Sequence, residues 1–158
     1  MVSSNSEKAQ TTTATAANAP ASKVMPTEPV ATPEEFKSRV LRQVDLPATE
    51  LVKGSNSRLV VGEQAMISFL KMDAHSYFAP HRHVQEQIMI VLDGYCDEII
   101  QGKIYRVKKG DVIILPSNVE HGAYIGDEDC YAIDVFGAPR SDYMMKMMQL
   151  MVTLNPNK

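Results

Sequence analysis

The chain has 158 residues, a formal net charge of −3, 44% hydrophobic and 22% charged residues, the balance of one globular domain around one buried core. The slight negative charge offers no basic surface for nucleic acid or an anionic membrane, and no apolar run approaches the roughly 20 residues that span a bilayer. The N-terminus lacks an apolar signal core, so a cytoplasmic protein is the default expectation.

Residues 1–31 are rich in Ser, Thr, Ala and Pro and hold no Leu, Ile or aromatic residue. Such a segment cannot bury enough apolar surface to offset its ordering entropy, which predicts a mobile tail. A helix-and-connector segment is expected over 32–50. Thr32 suits the N-cap, Pro33 the first helical position and Glu35 the third. Phe36, Val40 and Leu41 would then form the inner face of a short helix.

From Leu51 to Tyr143 the pattern changes. Runs of β-branched and apolar residues at 58–61, 65–72, 87–94, 96–100, 103–107, 111–116, 123–126 and 130–136 alternate with Gly, Asn, Asp and Pro. Many short strands at close spacing predict an all-β sandwich or barrel over 51–143. The runs 87–92 and 111–115 are apolar at nearly every position, so both strand faces should be covered. The N-terminal helix or a second subunit would provide that cover, and a homodimer is the expected assembly. Cys96 and Cys130 lack CxxC spacing and read either as small buried apolar side chains or as a disulfide.

The segment 144–158 ends the chain. Met144, Met147, Met148 and Met151 recur at helical spacing, one stripe of a short helix stopping before Asn155-Pro156. The stripe reads as an adaptable apolar face docked on the barrel or on a partner. Thioether binding of Cu(I) is the other reading.

The chemistry concentrates around the histidines. His81 and His83 lie two apart and would share one face of a β-strand. Gln87 keeps that parity, together with Met89 and Val91, whereas Glu86 has the opposite one. Pleat geometry therefore selects Gln87 over Glu86. His121 follows a second strand, which Pro116 ends. His75 lacks this spacing and is open to a rim role or a catalytic one. Near the end of the barrel, Asp134 sits in the middle of the strand 130–136 and shares a face with Phe136. A carboxylate among apolar neighbours is costly unless it faces a cavity, a partner or a metal-bound group. Arg140 follows in the next loop, and either pairs with Asp134 or works beside it on a ligand.

These stretches resemble the cupin superfamily. Its first motif, G-x5-H-x-H-x3-E-x6-G, fits His81 to Gly94 with Gln87 in the Glu position. Its second, G-x5-P-x-G-x2-H-x3-N, fits Gly110, Pro116 and His121. His75 and Asn118 replace two motif glycines and Ile125 replaces the final Asn. The resemblance covers about 70–136 and implies a jelly-roll barrel with a metal in its mouth, held by His81, His83, Gln87 and His121. That donor set suits Ni, Zn, Fe, Mn or Co. It carries no negative charge, so a bound ion would polarise a carbonyl or hydroxyl strongly.

A closer resemblance is to the pectin-degradation cupins of the KdgF type. It rests on His81-x-His83-x3-Gln87, on the Pro116–Gly122 segment (one residue wider here), on Asp134-Val135-Phe136 and on Pro139-Arg140-Ser141-Asp142-Tyr143. That group opens an unsaturated uronate to its linear keto form. By position, Asp134 would be the general acid/base, Arg140 would clamp the carboxylate and Phe136 would pack on the sugar. Residues 1–31 and the Met-rich end are additions to the usual compact barrel, and leave room for a different substrate. The function expected is thus metal-dependent isomerisation or ring opening of a small carboxylated sugar or keto/enol acid. A non-catalytic ligand-binding cupin and a metal-dependent dioxygenase or lyase of another small acid are the alternatives.

Overall fold

The computed structural model describes residues 29–155, so nearly all of the tail expected at 1–31 lies outside the described residues. Helix α1 (Pro33–Arg39) starts with a reciprocal capping box. The Glu35 amide donates to Thr32 Oγ1 at 3.2 Å and the Thr32 amide to the Glu35 carboxylate at 2.8 Å. The helix stops at Arg39 and buries none of its residues, and Phe36, Val40 and Leu41 are all exposed. At two turns the helix is too short to carry an extended apolar stripe.

Beyond it the chain forms ten strands. These are β1 (Ala48–Val52), β2 (Ser55–Val61), β3 (Met66–Met72), β4 (Tyr77–His81), β5 (Gln87–Asp93), β6 (Tyr95–Ile100), β7 (Lys103–Lys108), β8 (Val112–Leu115), β9 (His121–Ile125) and β10 (Cys130–Phe136). They make two antiparallel sheets, one ordered β1-β2-β3-β10-β5-β8 and the other β4-β9-β6-β7. This is the all-β jelly-roll architecture expected from the alternation of the sequence. Two strands went unread: β1 is short, and β4 contains Pro80, which cannot donate to a ladder and accompanies a bulge between Phe78 and His81.

Burial alternates with period two. Met66, Ser68, Leu70 and Met72 of β3, Gln87, Met89 and Val91 of β5, and Cys130, Ala132, Asp134 and Phe136 of β10 all point inward. The register sets Asp134 between Ser68 and Met89, and Phe136 beside Gln87. The thiols of Cys96 and Cys130 are buried, unlinked and in contact with one another.

The outer face of the larger sheet stays open within the described chain. Val112 is 58% exposed and Ile114 61%, Leu92 is exposed as well, and Ile88, Ile90, Ile133 and Val135 are only half-buried. No part of residues 40–155 covers that face. Helix α2 (Ser141–Leu154) packs Met144 and Met147 against the core, but Met148 and Met151 are exposed, so only half of the methionine stripe is docked. No helix among the described residues is long and apolar enough to cross a membrane.

The turn between β5 and β6 needs glycine. Gly94 has φ of +71°, and a Cβ there would stand 2.2 Å from the Asp129 carbonyl oxygen. Gly94→Ala is expected to destabilise the domain by about 2–4 kcal/mol in urea unfolding, because the obstacle is main chain. A loss below about 0.5 kcal/mol would show that this turn relaxes freely.

Candidate metal centre

His81 is the last residue of β4 and His121 the first of β9, and the two are register partners. His83 lies in the loop 82–86, and Gln87 opens β5. The expectation that His81 and His83 share a strand is thus corrected: β4 ends at His81, and the loop brings His83 back beside it. Gln87 is buried and Glu86 exposed, but Gln87 turns in by the pleat of β5, which it shares with Met89 and Val91, and not by a strand continuing from His81 and His83.

The structure brings the three imidazoles together, with ligand nitrogens all within 4.8 Å of one another. Each Nδ1 meets a main-chain carbonyl two residues away: His81 with Ala79 at 2.9 Å, His83 with Gln85 at 2.8 Å, His121 with Val119 at 2.9 Å. An Nδ1–H donated there leaves every Nε2 as a bare lone pair, the form that ligates a metal. His121 Nε2 is buried and has no hydrogen-bond partner. Gln87 donates from Nε2 to Asp134 Oδ1 at 2.9 Å, which turns its oxygen toward His83 Nε2, 3.2 Å away. Two acceptors then face each other at hydrogen-bond distance, an arrangement that a cation between them would relieve. The residues present therefore fit a divalent ion.

Burial enforces neutrality here. It lowers His121 to about 4 and also holds His83 below the usual imidazole range. Asp134 is pushed up to about 7 by its complete burial, against the opposing pull of the Gln87 amide and the Arg140 charge.

Beside the histidines lies a small cavity of about 30 Å³, room for about one or two water molecules. Leu70, Met72, Phe78 and Met89 supply apolar wall, while His81, Gln87, His121, Asp134 and Glu98 supply polar groups. Phe136 and Arg140 stand outside that lining. Phe136 is fully buried, edge-on to His83 and to Tyr143 at 5.8 and 5.7 Å. Arg140 lies 4.0 Å over the Tyr143 ring and donates to the Asp142 carboxylate at 3.1 and 2.6 Å. An Asp134–Arg140 ion pair is not formed; Asp142 takes that place, and Arg140 Nη1 remains buried without a partner. His75 is largely exposed, 3.9 Å from Asp127, away from the cluster. It and Asn118 adopt φ of +64° and +63°, the left-handed backbone of the motif glycines they replace.

Glu98 is the cavity residue that the sequence reading passed over. It shares the inward face of β6 with Cys96, and that parity was the available signal. Burial pushes its carboxyl up to about 8, with Asp134 and Cys130 adding to the effect. The unfolded chain releases this proton near pH 4.5 and the folded chain holds it. Stability from this group is therefore full below about 4.5 and lost as pH rises through about 8. Glu98→Gln should remove that slope, leaving the variant about 2–4 kcal/mol less pH-sensitive than wild type between pH 4 and 9 in urea titrations of metal-free protein. Parallel curves would contradict it.

Residues 68–136 match the cupin domain family. The chain is 26% identical over 102 residues to the pectin degradation protein KdgF of Dickeya dadantii, covering 63% of this chain and 93% of that one. The structure of KdgF from Halomonas sp. aligns with a TM-score of 0.60 at 24% identity, over 64% of this chain and 94% of that one. An RmlC-like cupin from Shewanella frigidimarina aligns with a TM-score of 0.62 at 21% identity, over 66% and 95%.

Proposed function

We propose that this chain, a cupin over residues 68–136 with a fold and sequence similar to the KdgF proteins, is a metal-dependent enzyme that opens or isomerises a small carboxylated sugar or keto/enol acid. One observation carries the reading. Gln87 joins the histidine cluster to Asp134: its oxygen stands 3.2 Å from His83 Nε2 while its amide donates to Asp134, a carboxyl that burial holds near neutrality.

In this reading His81, His83, Gln87 and His121 hold the ion, for which Ni, Zn, Fe, Mn and Co all suit the donors. A divalent ion there supplies positive charge to substrate oxygens, undiminished by any anionic ligand. Asp134 moves the proton. Opening of a 4,5-unsaturated uronate breaks the bond between C1 and the ring oxygen as C1 becomes a carbonyl and its hydroxyl proton passes to the former ring oxygen. The enol so formed gains a proton at C4 and loses one from oxygen, giving the 5-keto acid. A neutral Asp134 can donate to C4 and recover a proton from the enol hydroxyl, so the carboxyl ends as it began. Arg140, held by Asp142 and stacked on Tyr143, is buried outside the cavity lining and would have to turn its unpaired Nη1 toward the cavity to take the substrate carboxylate. Phe136 supports it from behind, by fixing His83 and Tyr143, in place of the direct sugar contact expected from sequence.

The test is to incubate pure, metal-loaded protein with 4,5-unsaturated galacturonate and follow the ring-to-chain conversion by NMR. Acceleration is expected, and none would overturn the reading. Tight binding of uronates without turnover would make the chain a ligand-binding cupin, and oxygen consumption with Fe(II) a dioxygenase.

A homodimer belongs to the same proposal. The open sheet face around Ile90, Leu92, Ile114 and Ile133 is a broad apolar surface for one small domain. Its natural cover is the same face of a second copy, by two-fold symmetry. Ile90→Arg is expected to give a monomer in analytical ultracentrifugation where wild type sediments as a dimer. A monomeric wild type at micromolar concentration would refute this.

A further inference from the structure

The sequence holds two cysteines, and the fold brings them together. Cys96 lies on β6, an inner strand of the smaller sheet, and Cys130 on β10, an inner strand of the larger. Facing sheets ordinarily pack about 10 Å apart, whereas Cα atoms of β6 and β10 come within 8 Å of each other. Gly94 shows how. A Cβ there would stand 2.2 Å from the Asp129 carbonyl oxygen and 3.1 Å from Cys130 Cα, so the entry to β6 is pressed against the entry to β10. Where the two sheets pinch, the Cys96 and Cys130 thiols touch, both fully buried. A small apolar side chain at either position would fill the same space. Two sulfurs in contact add a reaction that packing does not need.

The pair is remote from the histidines. Cys130 is six residues from Phe136, the partner of Gln87, and Cys96 is four residues from Ile100, the partner of His121. Those intervals are about 20 and 13 Å along the strands. A bond between the sulfurs would join the two sheets at the end of the barrel opposite the imidazoles.

We propose that Cys96 and Cys130 form a redox modification site, at which a peroxide converts the dithiol into a disulfide that staples β6 to β10. One thiolate attacks a peroxide oxygen. The O–O bond breaks, and the departing hydroxide takes up the thiol proton as water. The second sulfur then attacks the resulting sulfenic acid; the S–S bond forms, the S–O bond breaks, and a second water leaves with the remaining thiol proton. Two electrons pass from the thiols to the peroxide, and an external dithiol returns them. Burial restricts the oxidant to one of about the size of water, and contact between the sulfurs favours ring closure over further oxidation. The loop closed, 96–130, is long enough for the crosslink to restrict the unfolded chain strongly.

The experiment treats the full chain, loaded with redox-inert Zn(II), with hydrogen peroxide. The reaction is quenched with catalase, remaining thiols are alkylated in denaturant, and tryptic peptides are weighed. Cys96 falls in peptide 83–103 and Cys130 in peptide 110–140. Most of the protein is expected to yield these two peptides linked, two hydrogens lighter than their sum, and dithiothreitol should separate them. Urea titration of the same wild-type chain before and after oxidation should show an unfolding constant at least about a hundredfold smaller in the linked form. That comparison needs no variant. Cys96→Ser should give no linked peptide and leave Cys130 alkylated or oxidised to the sulfinic acid. Two alkylated cysteines after peroxide overturn the proposal, as do sulfinic acids without a link in wild type. A link between two chains on a non-reducing gel, in place of one within the chain, overturns it as well.

Discussion

His121→Ala should lose its metal: after dialysis, elemental analysis is expected to find less than a tenth of the wild-type content, with affinity reduced at least about a hundredfold. His83→Ala should behave alike. Each imidazole is fixed by a main-chain carbonyl with its lone pair already directed inward, so removing one leaves a donor gap that no neighbour can fill. Glu86→Ala is the control. Glu86 points outward, and its removal should leave the metal in place, whereas loss of metal in that variant would transfer the fourth ligand to Glu86 and sink the assignment of Gln87.

Acid should have the same effect as the substitution. Ligation requires unprotonated imidazole, so protons compete with the ion as pH falls. Burial already keeps His121 neutral down to about 4 and lowers His83 too, which weakens that competition. Release is therefore expected to begin below about pH 6 and to be complete near pH 4. Retention at pH 3 would argue against histidine ligands.

The second large effect is expected at Asp134. Asp134→Asn should reduce kcat for uronate opening by about 10² to 10⁴ while leaving metal content unchanged. The amide oxygen of the variant can still accept from Gln87 Nε2, as Oδ1 does at 2.9 Å, so the ligand sphere keeps its orientation and only the transferable proton is gone. Full activity in this variant refutes Asp134 as the proton carrier. Arg140→Lys differs in kind: lysine cannot make the planar fork to Asp142 and the substrate together, so KM should rise more than kcat falls.

Local rules made much of this legible. The capping box at Thr32 and Glu35, the inward parity of Gln87, Met89 and Val91, and the place of Asp134 on the Phe136 face follow from helix-cap and pleat geometry within a few residues. Non-local pairing did not. The Asp134–Arg140 ion pair looked natural from charge alone, but the turn into α2 puts Asp142 closer to Arg140. Glu98 was missed because it follows Asp97, and an acidic pair reads as a solvated edge. The β6–β7 register sets Asp97 against Arg106 outside, and the alternation of β6 turns Glu98 in with Cys96. Phe136 was placed on the correct face, yet its depth behind Tyr143 depends on a helix 14 residues long, whose docking no local pattern encodes.

The carbonyls that hold the imidazoles belong to the backbone, and this has a consequence for how the centre can vary. No point substitution can delete Ala79 O, Gln85 O or Val119 O, since every residue type brings the same oxygen. Side chains at 82, 84–86 and 119–120 are therefore free to drift chemically without retuning the rings. Spacing is not free. One residue inserted or removed in either loop would rotate an imidazole off the common point, so the centre is guarded by length and indifferent to lettering.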